Sequence, residues 1–375
     1  AKEFSSLKTD GTVTLTVQAK GIMQGDTLPQ FNAVMEVKNA MFRYPSLPAG
    51  VDNINILAKV NNHSGSADRT VIMINPFNFR LGGNPFSMTA EIKTPVSDAN
   101  FKGSANGILN LGMIKDVYPL EDMELNGTIN ANLSVAGRMS YVEKEQYDKF
   151  SASGTVKLTD MKLKMQDIPD VDIRQSLFTF TPQYLQLSET TVNIGQNDIT
   201  ADCRFENYMG YALKNTTLKG NLNINSNNFN LNDFMSGEEE VTAETDTVPM
   251  SLIEIPKNIN FNMNANMKKV TFGTMNFSNI NGKLIVKDGK ADMSNLSLNT
   301  MGGNVVMNGY YSTTDIANPV MNASFRMDSL SFAQTYKELD MVQQLAPVFE
   351  NLKGKFSGSM KINTRLDKDM SPVLS

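Results

Sequence analysis

The sequence predicts a mainly β protein: repeated antiparallel β-meanders forming an elongated, curved sheet or trough with an apolar concave face, plus a few short helices. Three observations predict it. Apolar and polar residues alternate with a period of two along many stretches. A short fragment, an apolar residue followed by Gly, then Gly or Gln, then Asn, recurs three times and each time leads into another alternating stretch. Helical periodicity is confined to a few short segments, too little to cover so much one-sided sheet.

The elements follow in chain order. TVTLTVQAK sets Val13, Leu15 and Val17 on one side of a strand and Thr12, Thr14 and Thr16 on the other. The turn NHSGSADR leads into the long strand TVIMINPFNFRL, which ends at the first glycine fragment, LGGN, with Gly82. FKGSANGILNLG is a further strand, and GMIKDVYPLE reads as a short helical turn. GTINANLSVAG alternates again through Ile129, Ala131, Leu133 and Val135. A TPQY turn and the strand YLQLSETTVNIG reach the second fragment, IGQN, with Gly195; LKGNLNINSNNFNL follows, then a helical turn at LNDFM.

SGEEEVTAETDT, residues 236–247, breaks the texture. It lacks the alternating ligands and fixed glycine of a calcium loop, so it reads as a disordered acidic excursion. NINFNMNANM is the plainest alternation, with Ile259, Phe261, Met263, Ala265 and Met267 separated by asparagines. Asp288-Gly289 in VKDGK is a candidate type I′ turn, and KADMSNLSLNT reaches the third fragment, MGGN, with Gly302. VMNASFRMD carries Met321, Ala323, Phe325 and Met327, and GSMKINTRL carries Met360, Ile362, Thr364 and Leu366. Between them SFAQTYKELDMVQQLAPVFENL reads as one helical stretch, with Leu330, Ala333, Tyr336, Leu339 and Leu345 at helical spacing.

Glycine beside polar residues can cradle a phosphate, but a cradle is followed by a helix N-terminus, whereas each of these fragments leads into a strand. Gly82, Gly195 and Gly302 therefore read as tight reversals, where glycine permits positive φ and the nearby Asn tolerates it. Their spacing of about 110 residues marks an internal repeat longer than ordinary solenoid units. Opening motifs at LKTDGTVTLTV, MELNGTINANL, IPKNINFNMN and NLKGKFSGSM divide the chain into residues 1–122, 123–248 with the acidic loop, 249–348 ending in the helix, and 349–375, the start of a fourth unit. The pattern is interrupted at both ends, as expected of a segment of a longer protein.

Composition narrows the function. The chain has 375 residues, 41% hydrophobic and 19% charged, with net charge −5; its mean hydropathy is −0.27 and its pI near 5.2. Scattered basic residues on an acidic chain argue against nucleic acid and against an anionic membrane patch. Cys203 is the single cysteine, which excludes an intramolecular disulfide and a cysteine metal site. His63, the single histidine, sits in a turn-like stretch and reads as a loop residue. No zinc-like cluster, P-loop, GxSxG or HExxH occurs, and Asp167 and Asp170 read as an acidic turn, so neither enzyme activity nor a metal or cofactor is expected. No apolar run is long enough to span a bilayer.

A sheet with one apolar face must bury it. If a trough leaves that face open, acyl lipid is the natural guest: each buried methylene contributes roughly 0.8 kcal/mol, so two chains of about sixteen carbons offer on the order of 20 kcal/mol before ordering. Val13, Leu15, Val17, Ile129, Leu133, Phe261, Met263, Met267, Met321, Phe325, Met360 and Ile362 would line such a groove. The 24 methionines suit irregular guests, although ordinary core filling explains them equally. Two alternatives compete: an assembly factor that binds outer-membrane strands at a free sheet edge, and a structural tandem of β-sandwiches without ligand.

The stretch FSNINGKLIVKDGKADMSNLSLNTMGGNVVMNGYYSTTDIANPVMNASFRMDSLSF, Phe277 to Phe332, resembles the C-terminal repeat region of the AsmA family. The order of a short strand, an Asp-Gly turn, "nLsl", "GG-x-v-x-x-x-G", a polar loop and an alternating strand carries the resemblance, and MSPVLS is similar to the family's continuation. It covers Ile253 to Ser375 clearly and residues 51–235 through the repeat. The resemblance, which extends to TamB and the bridge-like lipid carriers, implies a β-trough with a hydrophobic interior. It further implies a Gram-negative envelope protein in the periplasm, anchored in the inner membrane, that moves phospholipid between inner and outer membranes, or an older role in outer-membrane protein assembly. It carries over no catalytic residue.

Overall fold

Residues with period-two alternation form ladders throughout. The computed structural model describes residues 8–25, 27–44, 49–63, 65–117, 123–146, 149–165, 168–234, 252–367 and 373; the acidic loop 236–247 and Asp167 lie outside them. The chain divides into two compact units, Ala1–Thr190 and Thr191–Ser375.

In the first unit β1 (Lys8–Lys20), β2 (Gln30–Arg43), β3 (Val51–Asn62), β4 (Thr70–Leu81), β5 (Asn84–Lys93), β6 (Asn100–Asn110), β7 (Met123–Arg138), β8 (Ser151–Met165) and β9 (Ile168–Phe180) pair in sequence order. Every pairing is antiparallel, so this unit is one open meander. β10 (Tyr184–Ile194) carries the boundary between the units.

The second unit contains β11 (Asn197–Glu206), β12 (Leu218–Ser226), β13 (Phe229–Asn230), β14 (Ile259–Phe272), β15 (Met275–Lys287), β16 (Lys290–Thr300), β17 (Gly303–Ser312), β18 (Val320–Ser331) and β19 (Lys355–Arg365). Its ladder is antiparallel except that β12 and the two-residue β13 run parallel to β14. Among the described residues, no second sheet packs face to face on the first within either unit.

Short helices decorate the strand ends: α1 (Ile114–Val117), α2 (Met139–Glu143), α3 (Tyr208–Lys214), α4 (Phe332–Glu338) and α5 (Asp340–Leu345). GMIKDVYPLE supplies α1 with a preceding 3-10 turn, and LNDFM a 3-10 turn at Leu231–Phe234. The single helix expected over SFAQTYKELDMVQQLAPVFENL is corrected. Leu330 is buried one residue before the end of β18, and Ser331 caps α4. Leu339, at φ −122° and ψ 104°, interrupts the helix, and Pro347 begins a 3-10 turn. The interruption follows from packing, because Leu339 lies against Met301, Val305 and Leu330.

Strands this long keep one apolar face only because bulges rephase them. In β2, Ala33, Met35 and Val37 are followed by Ala40 and Phe42, with Asn39 at φ +48° between them. In β16, Ala291 and Met293 are followed by Leu296 and Leu298 across Asn295 at φ +49°. In β18 the step from Met327 to Leu330 passes Ser329 at φ +59°. One extra residue restores the face that strict alternation would lose. Asn295 N donates to Asn308 Oδ1 at 2.7 Å, and Ser329 N donates to Ser357 Oγ at 2.9 Å.

Gly154 in β8 shows how closely the strands approach. Its φ is +118°, and a Cβ there would collide with the Asn132 carbonyl oxygen. Gly154→Ala should lower the urea unfolding free energy by about 2–4 kcal/mol. An unchanged midpoint would show that the β7–β8 ladder does not depend on that conformation.

Candidate apolar binding face

The register of successive ladders builds the site. In the first unit one row runs Val13, Val37, Ile56, Phe77, Met88, Ala105, Leu133, Gly154, Phe180, one residue from each of nine strands. Beside it runs Leu15, Met35, Ala58, Ile74, Ala90, Gly103, Val135, Ala152. No polar side chain interrupts either row. Val17 and Ile129 lie on the same face, Val17 opposite Ala33 and Ile129 between Leu109 and Leu158.

The second unit repeats the arrangement. One row is Cys203, Leu222, Met263, Leu284, Met293, Gly309, Ala323, Ile362. Another is Phe205, Gly220, Phe261, Val286, Ala291, Tyr311, Met321, which ends at Thr364. Met307, Phe325 and Met360 continue the same face, and Met267 pairs with Ser226 and Ile280. The residues expected along a groove therefore fall on one face of the unit to which each belongs. Alternation did not single out Phe77, Met88, Leu222, Leu284 or Met293; at Phe77 a bulge after Ile74 disturbs the period.

This face is thinly covered. Val13, Leu15 and Val17 are 66%, 67% and 59% exposed, and Met35, Met88 and Met360 also remain exposed. Ile56, Phe77, Leu133, Phe261, Met263, Leu284 and Met321 are half-buried. The mid-strand positions that are buried are often small, such as Ala131, Ala265 and Ala323, shielded by larger neighbours. Ser176 and Thr190 satisfy each other at 2.8 Å in the first unit.

The opposite face is wet. Parallel pairing of β12 with β14 sets Asn221, Asn223 and Asn225 beside Asn262, Asn264 and Asn266. Asn262 Nδ2 donates to Asn221 Oδ1 at 3.3 Å and Asn264 Nδ2 to Asn223 Oδ1 at 2.9 Å, an amide ladder across the junction.

The glycine fragments sit at the strand ends. Gly82 and Gly83 have φ +56° and +83°, Met301 and Gly302 +49° and +71°, and Asp288 and Gly289 +52° and +76°, all left-handed pairs suited to two-residue hairpins. Gly195 has φ +58°. The asparagines are a correction: Asn84, Asn197 and Asn304 do not occupy the left-handed region but lie in the next strand. Asn197, fully buried, donates through Nδ2 to the Ile194 carbonyl and to Asp233 Oδ2, each at 2.8 Å. A later helical segment covers each turn. Met113 stands where a Cβ on Gly82 would be, Asp233 holds Asn197, and Gln334 lies over Gly302.

At the other strand ends of the first unit, carboxylates lace successive loops. Asp68 Oδ1 accepts from Ser97 N at 2.7 Å and Val96 N at 3.1 Å. Asp98 accepts from Ser140 N and Oγ, each at 2.9 Å, and lies 3.5 Å from Arg138. The Ser97 backbone donor, helped by the Ser97 hydroxyl, holds the Asp68 carboxyl below its ordinary 3.8, and the Ser140 backbone donor does the same for Asp98.

Reactive groups are quiet. Burial, with the Asp202 charge second, pushes the Cys203 thiol up to about 11, so it stays protonated at neutral pH. His63 is exposed in the loop after β3, and the exposed Asp170 lies 3.5 Å from Lys164. Among the described residues no group of three or more His, Cys, Asp or Glu could hold a metal ion, and no helix is long and apolar enough to cross a membrane. Comparison with protein-family models, with curated proteins and with solved structures finds no match to this chain.

Asp68 and Asp98 have lower pKa values folded than unfolded, so the unfolded chain takes up protons first as pH falls. Their stabilisation is complete above the ordinary carboxylate range and is lost as pH drops through the lowered values. Thermal midpoints should therefore hold between pH 7 and 5 and fall below about pH 4. Asp98→Asn should flatten that acid limb; an identical limb in the variant would remove Asp98 from the account.

Proposed function

We propose that the apolar face of each unit holds acyl chains and that the protein aids phospholipid transport between the inner and outer membranes, as its resemblance to the AsmA family implies. On this reading it acts in the periplasm, with the full-length protein anchored in the inner membrane. The observation that carries the reading is the unbroken row from Val13 to Phe180. Nine strands at about 4.8 Å span roughly 40 Å, and three neighbouring residues along each strand add about 14 Å. An apolar patch on the order of 500 Å² lies at the upper end for a monomer and marks an interaction surface. Apolar contact is non-directional, so a guest can slide along the row without breaking a specific bond.

Protein purified without detergent should release phospholipid on organic extraction, detected by mass spectrometry. Phe261→Asp with Met263→Asp places two carboxylates on the face of the second unit and should reduce that lipid severalfold while leaving the circular dichroism of the sheet intact. Lipid-free wild-type protein with an accessible face would overturn the reading.

A second reading, assembly of outer-membrane strands by β-augmentation, draws on β1. All its residues are exposed, no strand pairs with its outer edge among the described residues, and it has no charge between Asp10 and Lys20. Such binding uses edge hydrogen bonds, so it would survive the paired aspartates that abolish lipid holding.

A further inference from the structure

Three helical segments cover the three glycine turns, but they differ in reach. In the first unit the Leu111–Met113 turn sets Met113 against Gly82, and Leu111 and Val117 of the turn and α1 are buried. In the second unit the Leu231–Phe234 turn stacks Phe234 on Phe229 and leaves it 46% exposed. The third segment, α4 and α5 with the Pro347–Asn351 turn, is the longest among the described residues. It brings Leu339 onto side chains of the apolar face: Leu339 packs against the cluster of Met301, Val305 and Leu330, where Leu298, Phe325 and Met327 also converge. This cluster forms around buried residues on a face that is otherwise half-open among the described residues.

The attachment has a hinge-like base. Phe332, Phe349 and Phe356 meet with ring centroids 4.9, 4.9 and 5.3 Å apart, pinning the two ends of the segment to β19. Between those ends the backbone leaves the helix at Leu339, so the leucine is carried on a break between two short helices. A short helix has little stability of its own and depends on the packing of its apolar side chains.

We propose that the Phe332–Asn351 segment is an internal competitor for the acyl site of the second unit, with Leu339 as the side chain that holds the place of a guest. This rests on the lipid-holding reading above. Acyl chains reach Leu298, Phe325 and Met327 only when the segment lifts, and Leu339 sets how much of the face a guest can use. A ligand whose competent state is only partly populated binds more weakly by that fraction, so weakening the plug strengthens binding.

The test uses the full chain and a fluorescent sixteen-carbon fatty acid as probe. Leu339→Gln, with Leu339→Ala in parallel should the first fail to fold, is expected to raise probe affinity about tenfold and to speed hydrogen exchange in α4 and α5. Adding Phe325→Asp should erase the gain. Unchanged or weaker binding by a folded Leu339 variant would overturn the competitor role. The two readings separate through the Phe261→Asp, Met263→Asp pair. If that pair lowers wild-type binding while Leu339 variants leave it unchanged, only the competitor proposal falls. If the pair has no effect, the lipid-holding reading falls with it.

Discussion

Everything in this protein depends on one constraint: apolar side chains must stay in register on one face as the chain passes from strand to strand. A slip of one residue would turn a strand's apolar set to the wet side. The strands are longer than an undisturbed alternation sustains, and left-handed residues at Asn39, Asn295 and Ser329 absorb the mismatch. Glycines serve the same constraint on the face itself. Gly220 lies between Phe205 and Phe261, whose ring centroids are 5.9 Å apart, so the missing Cβ lets the rings close over it.

The division of labour between face and rim follows. Among the described residues the largest side chains with almost no exposure are Asn62, Asn197 and Thr313, all polar and all at strand ends. Asn62 accepts from Gly65 N at 3.0 Å and donates to the Ser66 carbonyl at 2.6 Å. Thr313 Oγ1 accepts from Ile255 N at 2.8 Å, while Thr313 N donates to the Gly289 carbonyl at 2.8 Å. In an ordinary domain the most protected side chains are aliphatic. Here polar clamps fix the turns and the ladders carry the strands, which leaves the apolar face free of the task of holding two layers together.

Much of this was legible in the sequence, and the failures have physical causes. Val13 to Val17 and Ile259 to Met267 announced their faces because no bulge interrupts those stretches. The turns at Gly82, Asp288-Gly289 and Gly302 were legible because a two-residue reversal needs positive φ. The phase slip at Asn295 was not, since a bulge residue looks like any other polar strand residue. The asparagine after each glycine was misread as tolerance of left-handed backbone; at Asn197 the use is hydrogen bonding to Ile194 and Asp233, across 36 residues that spacing cannot link. The helix break at Leu339 was hidden for a similar reason, because periodicity records the helix and not the tertiary pocket that bends it.

The parallel junction shows how both faces are specified at once. β12 and β14 are joined by a crossover rather than a hairpin, so no tight turn sets their register. Parallel pairing is also the weaker kind per residue. NLNINS against NFNMNANM compensates on both sides: Leu222 and Ile224 meet Met263 and Ala265 on one face while asparagine amides bond laterally on the other. A one-residue slip would set Asn221, Asn223 and Asn225 against Met263, Ala265 and Met267, losing the amide bonds and the apolar row together. The strictest alternation in the chain thus falls where the backbone supplies the least guidance, and side chains alone keep the apolar row continuous there.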